Sequence, residues 1–489
     1  MKKIADKVLS PQVFALCYLP WLAINMASVI NILDFTRVVL AVFALWAVAV
    51  CVKVYFFSGK TPWTDKWIAL LLAFLAACLL SQVLQFRYGG VDMIGKLCYF
   101  SLCILLLYSQ HGNKCDDYEK LFGRMVRVLG IVIGLMILVS DWMFIELFMD
   151  TVTGRSGATV KIGFSENRLF GIFTSPNVGG AFALILLWCS FLTLKWAKKM
   201  RSPVLWRVIA CIQIFLGGVY ISVALSRGTY LAGIALVASY LLIRQPFEKE
   251  KNLKLWKQIL VRVTSALLAL VICAVSLEVL NWAACEVMVW NYERKVAADQ
   301  SQDSEEKQEI IDSALQGSDG RVESGRDDID ITNKRASIWK NHLQLLEGKH
   351  LLIGVNQPKV YLEKNLAAGK TFTKDQLAFV RYASGNLHNG YLQILINGGL
   401  LALLPMVAFL VLCAIKAIRY LSGALFSGRL AANSVAYELF SLTLPMVLAV
   451  LVNNVVETNF VLMGANFIQA FFWFVAGACV QSMNEGVKK

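Results

Sequence analysis

The sequence predicts an all-α polytopic membrane protein of about twelve transmembrane helices, with one large extracytoplasmic loop carrying short helices. Three observations predict it. The 489 residues are 57% hydrophobic and only 16% charged, with a mean hydropathy of +0.60. That is more apolar surface than a water-facing exterior of this size can accommodate. Apolar segments of span length recur along almost the whole chain. The Lys and Arg residues, which give a formal net charge of +14, gather in the short links between those segments rather than along one soluble face, a topology signal and not a nucleic-acid footprint.

In chain order the apolar segments fall near 12–32, 37–57, 67–84, 91–108, 127–148, 170–194, 208–226, 229–243, 261–282, 391–415, 435–453 and 459–480. The first is longer than a signal-peptide core and is expected to remain as a span. The eighth follows the seventh after only Arg227 and Gly228, so this pair reads as a tight hairpin or as one broken helix. Residues 1–282 then carry nine spans, 283–390 form the large extracytoplasmic loop, and 391–489 hold three spans and a short cytoplasmic tail.

Numbering the links from a cytoplasmic N-terminus places Lys2, Lys3, Lys195, Lys199, Arg244, Lys257, Lys416 and Lys488 inside. Far fewer basic residues, chiefly Arg87, Arg155, Lys161, Arg168 and Arg227, fall in the short outside links. The Lys/Arg bias of short loops sets orientation, so both termini are expected in the cytoplasm. The large loop, Arg227 and the Arg155–Arg168 link share the outer face, whereas His111 lies in a cytoplasmic link.

Within the loop, Asp299–Asp330 is highly charged and free of aromatics, which argues for a mobile or weakly helical excursion. After it, Asn333 is expected to cap a helix with an apolar stripe of Ile338, Trp339, Leu343 and Leu346, and Arg335 stands in its first turn. Gly348 and the run Leu351–Gly354 read as a helix stop and a buried turn, and His342 and His350 as surface groups of the loop helices. Most of the twelve cysteines lie inside apolar segments without metal-ligand spacing and read as small core residues. No metal site is expected.

Three outside elements each offer one group suited to polar chemistry: Arg227 in SRGTYLA, Arg335 in NKRASIW and His388 in NLHNGYLQILINGG. Histidine accepts a proton near neutral pH, and the planar fork of arginine suits two phosphate oxygens at once. Brought together, they would suit attack by a hydroxyl on an anionic, phosphate-bearing donor. Each also has a plainer reading: a headgroup anchor for Arg227, a solvated helix charge for Arg335, and a helix cap for His388 and Asn389. Lys161 and Arg168 would draw in a lipid phosphate or simply contact headgroups. In the element Ser175–Asn177, Pro176 would bend the sixth span, and Asn177 and Asn389 join Lys161 and Arg168 as substrate-binding candidates.

These stretches carry a resemblance. GIFTSPNVGGAFALILL, SRGTYLAG, RASIWKNHLQLLEGKHLLIGV and HNGYLQILINGGLLALL, between about Gly171 and Ala402, resemble the O-antigen ligase and polymerase-like family of bacterial membrane glycosyltransferases. The first 150 residues resemble it only as a series of spans. The resemblance implies a GT-C-like architecture and a glycan donor on undecaprenyl diphosphate, taken from the outer face of the cytoplasmic membrane. It implies no cofactor, nucleotide sugar or metal. By position it makes Arg227 and Arg335 look like the two arginines that engage the diphosphate, and His388 like the group that activates the acceptor hydroxyl. The partners it implies are that donor, a glycan or lipid-linked acceptor, and membrane lipids. The ligase form of the motif has His, then Asn, Ser or Gln, nine residues, Gly, two residues and commonly Gly. Here His388, Asn389 and Gly399 fit, but Ala402 takes the last place, which leans the reading toward a polymerase.

Two other classes compete. A flippase or transporter of lipid-linked oligosaccharide would share the spans and outer arginines, but it calls for ionisable groups near mid-span, whereas Asp141, Glu146 and Glu278 lie closer to the outer ends. In a noncatalytic scaffold, Arg335 and His388 would be replaceable without consequence.

Overall fold

Ser10 opens the first long helix: its Oγ accepts from the amide of Val13 at 3.3 Å. Pro11 follows in the first turn, where its missing N–H has no partner to lose. From there helices dominate the computed structural model. It describes residues 6–31, 33, 35–57, 66–109, 115–153, 159–165, 167–197, 199, 203–244, 253–298, 335–383, 386–426, 435–459, 461–462 and 465–485. The helices are α1 (Pro11–Asn25), α2 (Phe35–Val52), α3 (Lys66–Leu84), α4 (Gly90–Leu102) and α5 (Cys115–Ile145). After a small sheet come α6 (Pro176–Lys195), α7 (Val204–Ala224), α8 (Arg227–Ile243) and α9 (Leu255–Ala298). The short helices α10 (Arg335–Leu343), α11 (Lys349–Ile353), α12 (Pro358–Ala367) and α13 (Lys374–Ala383) precede α14 (Gly390–Phe426), α15 (Val435–Asn453) and α16 (Phe467–Glu485).

All twelve apolar segments therefore fall on helices. Among the described residues, eight helices are long and apolar enough to cross a membrane, in α2, α3, α5, α6, α7, α9, α14 and α15. The remaining four segments lie on α1, α4, α8 and α16, which do not meet that measure of length and hydropathy. The chain is an all-α polytopic membrane protein in its bulk.

Helix α6 packs along α5 and α7, α8 along α15, α3 along α14, and α16 along α15. The core between them is aromatic: Phe74, Phe100, Tyr108, Phe122, Phe182, Phe440 and Trp473 are fully buried. Helix α16 is mostly apolar and buried nearly all round, as an interior helix must be, with Gln469, Gln481 and Ser482 buried among its apolar residues. Helix α9 is the opposite case, with Leu267, Leu268, Val271, Ile272 and Val275 bare. Hydrocarbon, not water, is the solvent that such a surface requires.

Four expectations need correction, and the open reading of the seventh and eighth segments is narrowed. Against the all-α expectation, the link after α5 is a three-stranded antiparallel sheet of β1 (Met149–Thr153), β2 (Thr159–Ser165) and β3 (Arg168–Gly171), paired from Met149↔Gly163 to Thr153↔Thr159. Alternation in TVKIGFS turns Ile162 and Phe164 inward and leaves Thr159 and Lys161 outside. Pro176 does not bend a helix; it starts one, behind the Ser175 cap that accepts from the Val178 amide at 3.3 Å. The seventh and eighth segments are two separate helices, broken at Leu225 in a left-handed conformation (φ 50°) and restarted by the Ser226 cap. Helix α9 runs without a break from Leu255 to Ala298, past residue 282. Finally, His342 and His350 are buried, and Leu351 and Leu352 are exposed. The expected cap Asn333 and the charged stretch 299–330 lie outside the described residues.

The short helices α10–α13 surround a core of their own built from Ile338, Leu345, Leu346, Val355, Tyr361 and Leu362, to which Tyr88 contributes from the α3–α4 link. This unit is bolted to the end of the bundle. Val355 donates to Ile396 O (2.8 Å) in α14, and Gln85 donates to Gly354 O (3.3 Å) and meets His350 Nδ1 at 3.1 Å. Gly399 makes the seating possible. It kinks α14 with φ +66°, and an added Cβ would stand 2.2 Å from Leu352 O. The glycine of the His-Asn-x9-Gly spacing is thus where the unit of short helices rests on the bundle.

Burial holds both histidines of this unit below their ordinary pKa of 6.5, opposed by the contacts of His342 Nδ1 with Ile338 O and of His350 Nδ1 with Gly354 O. A depressed folded-state value means that the stabilisation is full above pH 6.5 and is lost as the pH falls through the lowered values. Hydrogen exchange followed by mass spectrometry is expected to show residues 335–383 losing protection at about pH 5 relative to pH 7, while the spans keep theirs. Equal protection of the unit at both values would refute this.

Candidate functional site

The link between α15 and α16 contains NNVVETN, and its carboxylate organises one end of the bundle. Glu457 Oε1 accepts from Arg335 Nη2 at 2.9 Å and from Asn177 Nδ2 at 2.6 Å. Its other oxygen, Oε2, lies 3.1 Å from His388 Nδ1. Four segments spread over 280 residues of sequence thereby meet on one side chain. Glu457 is only 11% exposed, against 38% for His388, so the carboxylate forms the floor and the imidazole the open wall.

Each partner is held by its own element. Arg335 is the first described residue of α10, whose Trp339 Nε1 donates to Leu387 O at 2.8 Å and so ties that helix to the chain before His388. His388 sits at φ +49°, sparsely populated for a residue with a Cβ, and its amide donates to Asn386 Oδ1 at 3.0 Å. Strain of this kind, held by surrounding hydrogen bonds, is a mark of functional positions. Asn177 stands in the first turn of α6 because Pro176 and the Ser175 cap start that helix there.

The other candidates take different places. Asn389 is the cap of α14: its Oδ1 accepts from the amides of Tyr391 and Leu392, both at 3.0 Å, while its Nδ2 donates to Val455 O at 3.0 Å. With Gly390 N donating to Glu457 O at 3.0 Å, this clamps the Glu457 link to the helix that follows His388. Arg168 donates through Nε to Ala224 O (3.1 Å) and through Nη2 to Leu225 O (3.3 Å) and Asn177 Oδ1 (3.4 Å). It therefore closes the carbonyl end of α7 and touches the site through Asn177.

Arg227, the first residue of α8, is exposed two residues beyond the carbonyl that Arg168 holds. Its neighbour Gly228 lies against the Glu457 link: an added Cβ would come 2.8 Å from Asn453 Oδ1 and 2.9 Å from Val456. The backbone of SRGT thus reaches the site, although the Arg227 guanidinium is not among the hydrogen-bond partners of Glu457. Lys161 is exposed on β2, opposite Thr151 of β1, and also stands outside that set of bonds.

Sequence reasoning singled out Arg335, His388, Asn177 and Arg168, which the fold connects, and missed Glu457, which connects them. The signal was there: an acid with three asparagines in the short gap between two apolar runs, at a membrane boundary where an unpaired carboxylate is costly. A hydropathy scan stops at Asn453 and resumes at Asn459, so Glu457 falls in the gap.

Chemically, the arrangement offers a base with a charged support. Taking its proton on Nδ1 toward Glu457, His388 leaves Nε2 to accept a proton from a hydroxyl. Arg335 spends one of its N–H groups on Glu457 and retains the others for an anion. Comparison with curated proteins finds no match. Residues 213–407, which run from within α7 past Arg227, Arg335 and His388 to Ala402 and beyond, match the family model described as O-Antigen ligase. Over that segment, which is less than half of the chain, the sequence is similar to the O-antigen ligase family.

Proposed function

We propose that the protein is a membrane glycosyltransferase that transfers or polymerises glycan from undecaprenyl diphosphate at the outer face of the cytoplasmic membrane, for a surface polysaccharide. The twelve-span, N-in and C-in topology is part of this reading, since it puts Arg227, Arg335 and His388 in the compartment where the finished lipid-linked glycan is presented. What supports the reading most is the single carboxylate of Glu457 between Arg335 (2.9 Å) and His388 (3.1 Å).

The acceptor hydroxyl gives its proton to His388 Nε2 as its oxygen bonds to the anomeric carbon of the donor. The bond from that carbon to the diphosphate oxygen breaks, and the diphosphate leaves with the electron pair. Arg335 and Arg227 neutralise the charge that grows on the leaving group. Glu457 steadies the imidazolium and fixes its tautomer, and the proton on His388 then passes to water or to the departing phosphate. Because a diphosphate is already a good leaving group, most of the rate comes from positioning and charge. The Ala402 departure favours a second lipid-linked repeat as the acceptor over a foreign one.

The test is transfer by the purified full chain in detergent, supplied with single-repeat glycan on undecaprenyl diphosphate. A polymerase yields a ladder of lengths from this donor alone, whereas a ligase yields product only when a foreign acceptor is added. Arg335→Ala is expected to raise the donor KM roughly 10- to 100-fold, the worth of a charge-assisted hydrogen bond to phosphate. An unchanged donor KM would remove Arg335 from the site.

A further inference from the structure

A second place in the molecule has the composition of a lipid-headgroup site. At the same end of the bundle, a cavity of about 380 Å³ opens between the α3–α4 link and α12, lined among others by Phe86, Arg87, Val91, Gln357, Val360 and Lys364. It shares no residue with the Glu457 cluster. Its volume falls in the range of about 300–1,000 Å³ common to small-molecule sites.

Three observations define what it would take. Both charged groups in its wall are cations, and they are held close together: Lys364 Nζ donates to the Arg87 carbonyl at 2.7 Å. The Arg87 guanidinium lies 4.5 Å from the centroid of the Tyr88 ring and makes no ion pair or hydrogen bond with a described residue, so its fork of donors is oriented yet unspent. Apart from the Gln357 amide, the remaining side chains of the wall are apolar. Phe86 is 53% and Val91 77% exposed, and beside them Val83 and Leu84 carry the same exposed surface down α3. In a membrane that surface meets acyl chains. A free anion would use the cations and leave the apolar wall idle, while a neutral lipid would do the reverse. A phosphate joined to acyl chains uses both.

We propose that this cavity binds the headgroup of an anionic membrane phospholipid, with its phosphate on Arg87 and Lys364 and its chains along Phe86, Val91 and the outer end of α3. The site is independent of the glycan-transfer reading. Occupying it would pin α12, and with it the unit that carries Arg335, to the bundle, because Gln357 N at the start of α12 also donates to Tyr88 O at 3.3 Å.

The test is native mass spectrometry of the full chain, released from uncharged detergent after incubation with phosphatidylglycerol, with phosphatidylcholine, or with inorganic phosphate. Phosphatidylglycerol is expected to bind, the zwitterionic lipid and free phosphate to bind far less, and Arg87→Gln and Lys364→Gln each to weaken phosphatidylglycerol roughly fivefold. Lys364 is exposed, so its substitution leaves the fold intact and keeps the result readable should Arg87→Gln misfold. Equal binding of phosphatidylglycerol to wild type and Lys364→Gln would overturn the site, and binding of inorganic phosphate to wild type as strong as that of phosphatidylglycerol would overturn the lipid as its ligand.

Discussion

His388→Ala is expected to lower kcat for glycan transfer by about 100- to 10,000-fold while leaving the donor KM nearly unchanged. The split follows from geometry. His388 reaches its neighbours through Nδ1, toward Glu457, and through its backbone amide, toward Asn386; in the proposed mechanism Nε2 handles only the proton of the acceptor. The grip on a diphosphate falls to guanidinium groups, which this substitution leaves in place. The donor should therefore bind and wait. Steady-state kinetics on purified protein read both parameters, and a loss appearing chiefly as a raised donor KM would recast His388 as a phosphate ligand rather than a base.

Glu457→Gln is expected to be nearly as severe, at roughly 100- to 10,000-fold in kcat. Glutamine keeps the shape and both hydrogen-bonding positions but removes the charge. Its amide nitrogen can face His388 Nδ1, which then accepts instead of donating, and the proton moves to Nε2, where it blocks the base. The imidazolium formed during the reaction also loses its counter-ion. Arg335, relieved of its partner at 2.9 Å, stays cationic, so donor affinity should hold or rise. Glu457→Asp keeps the charge on a shorter arm and should recover part of the rate. A residue that merely filled space would show the reverse order, with glutamine tolerated and aspartate damaging.

How much of this was visible before folding depends on the kind of signal. The spans were legible because lipid imposes one requirement, about 20 apolar residues, that any window detects. The basic side chains of SRGTYLA, NKRASIW and NLHNGYLQ were legible because charge in or beside an apolar run needs a reason. The sheet was not: MDTVT and TVKIGFS are short strands whose alternation is local, and their link was read only for its cations. His342 and His350 were assigned to a surface because four short helices were not expected to close a core of their own. Glu457 was out of reach for a different reason. Its role exists only where α6, α10, α14 and the α15–α16 link converge, and no spacing within one segment encodes a meeting of four. Pro176 shows the same limit on a smaller scale, since a proline inside an apolar run reads as a kink until Ser175 is seen capping the helix behind it.

The proposed chemistry turns on His388 acting through Glu457, and a double-mutant cycle on transfer from undecaprenyl diphosphate glycan measures that directly. With His388→Ala, Glu457→Gln and the pair compared in one assay, the double variant should be no slower than His388→Ala alone, because the carboxylate has no imidazole left to orient. Losses that multiply, so that the double variant falls by the product of the two single effects, would contradict it.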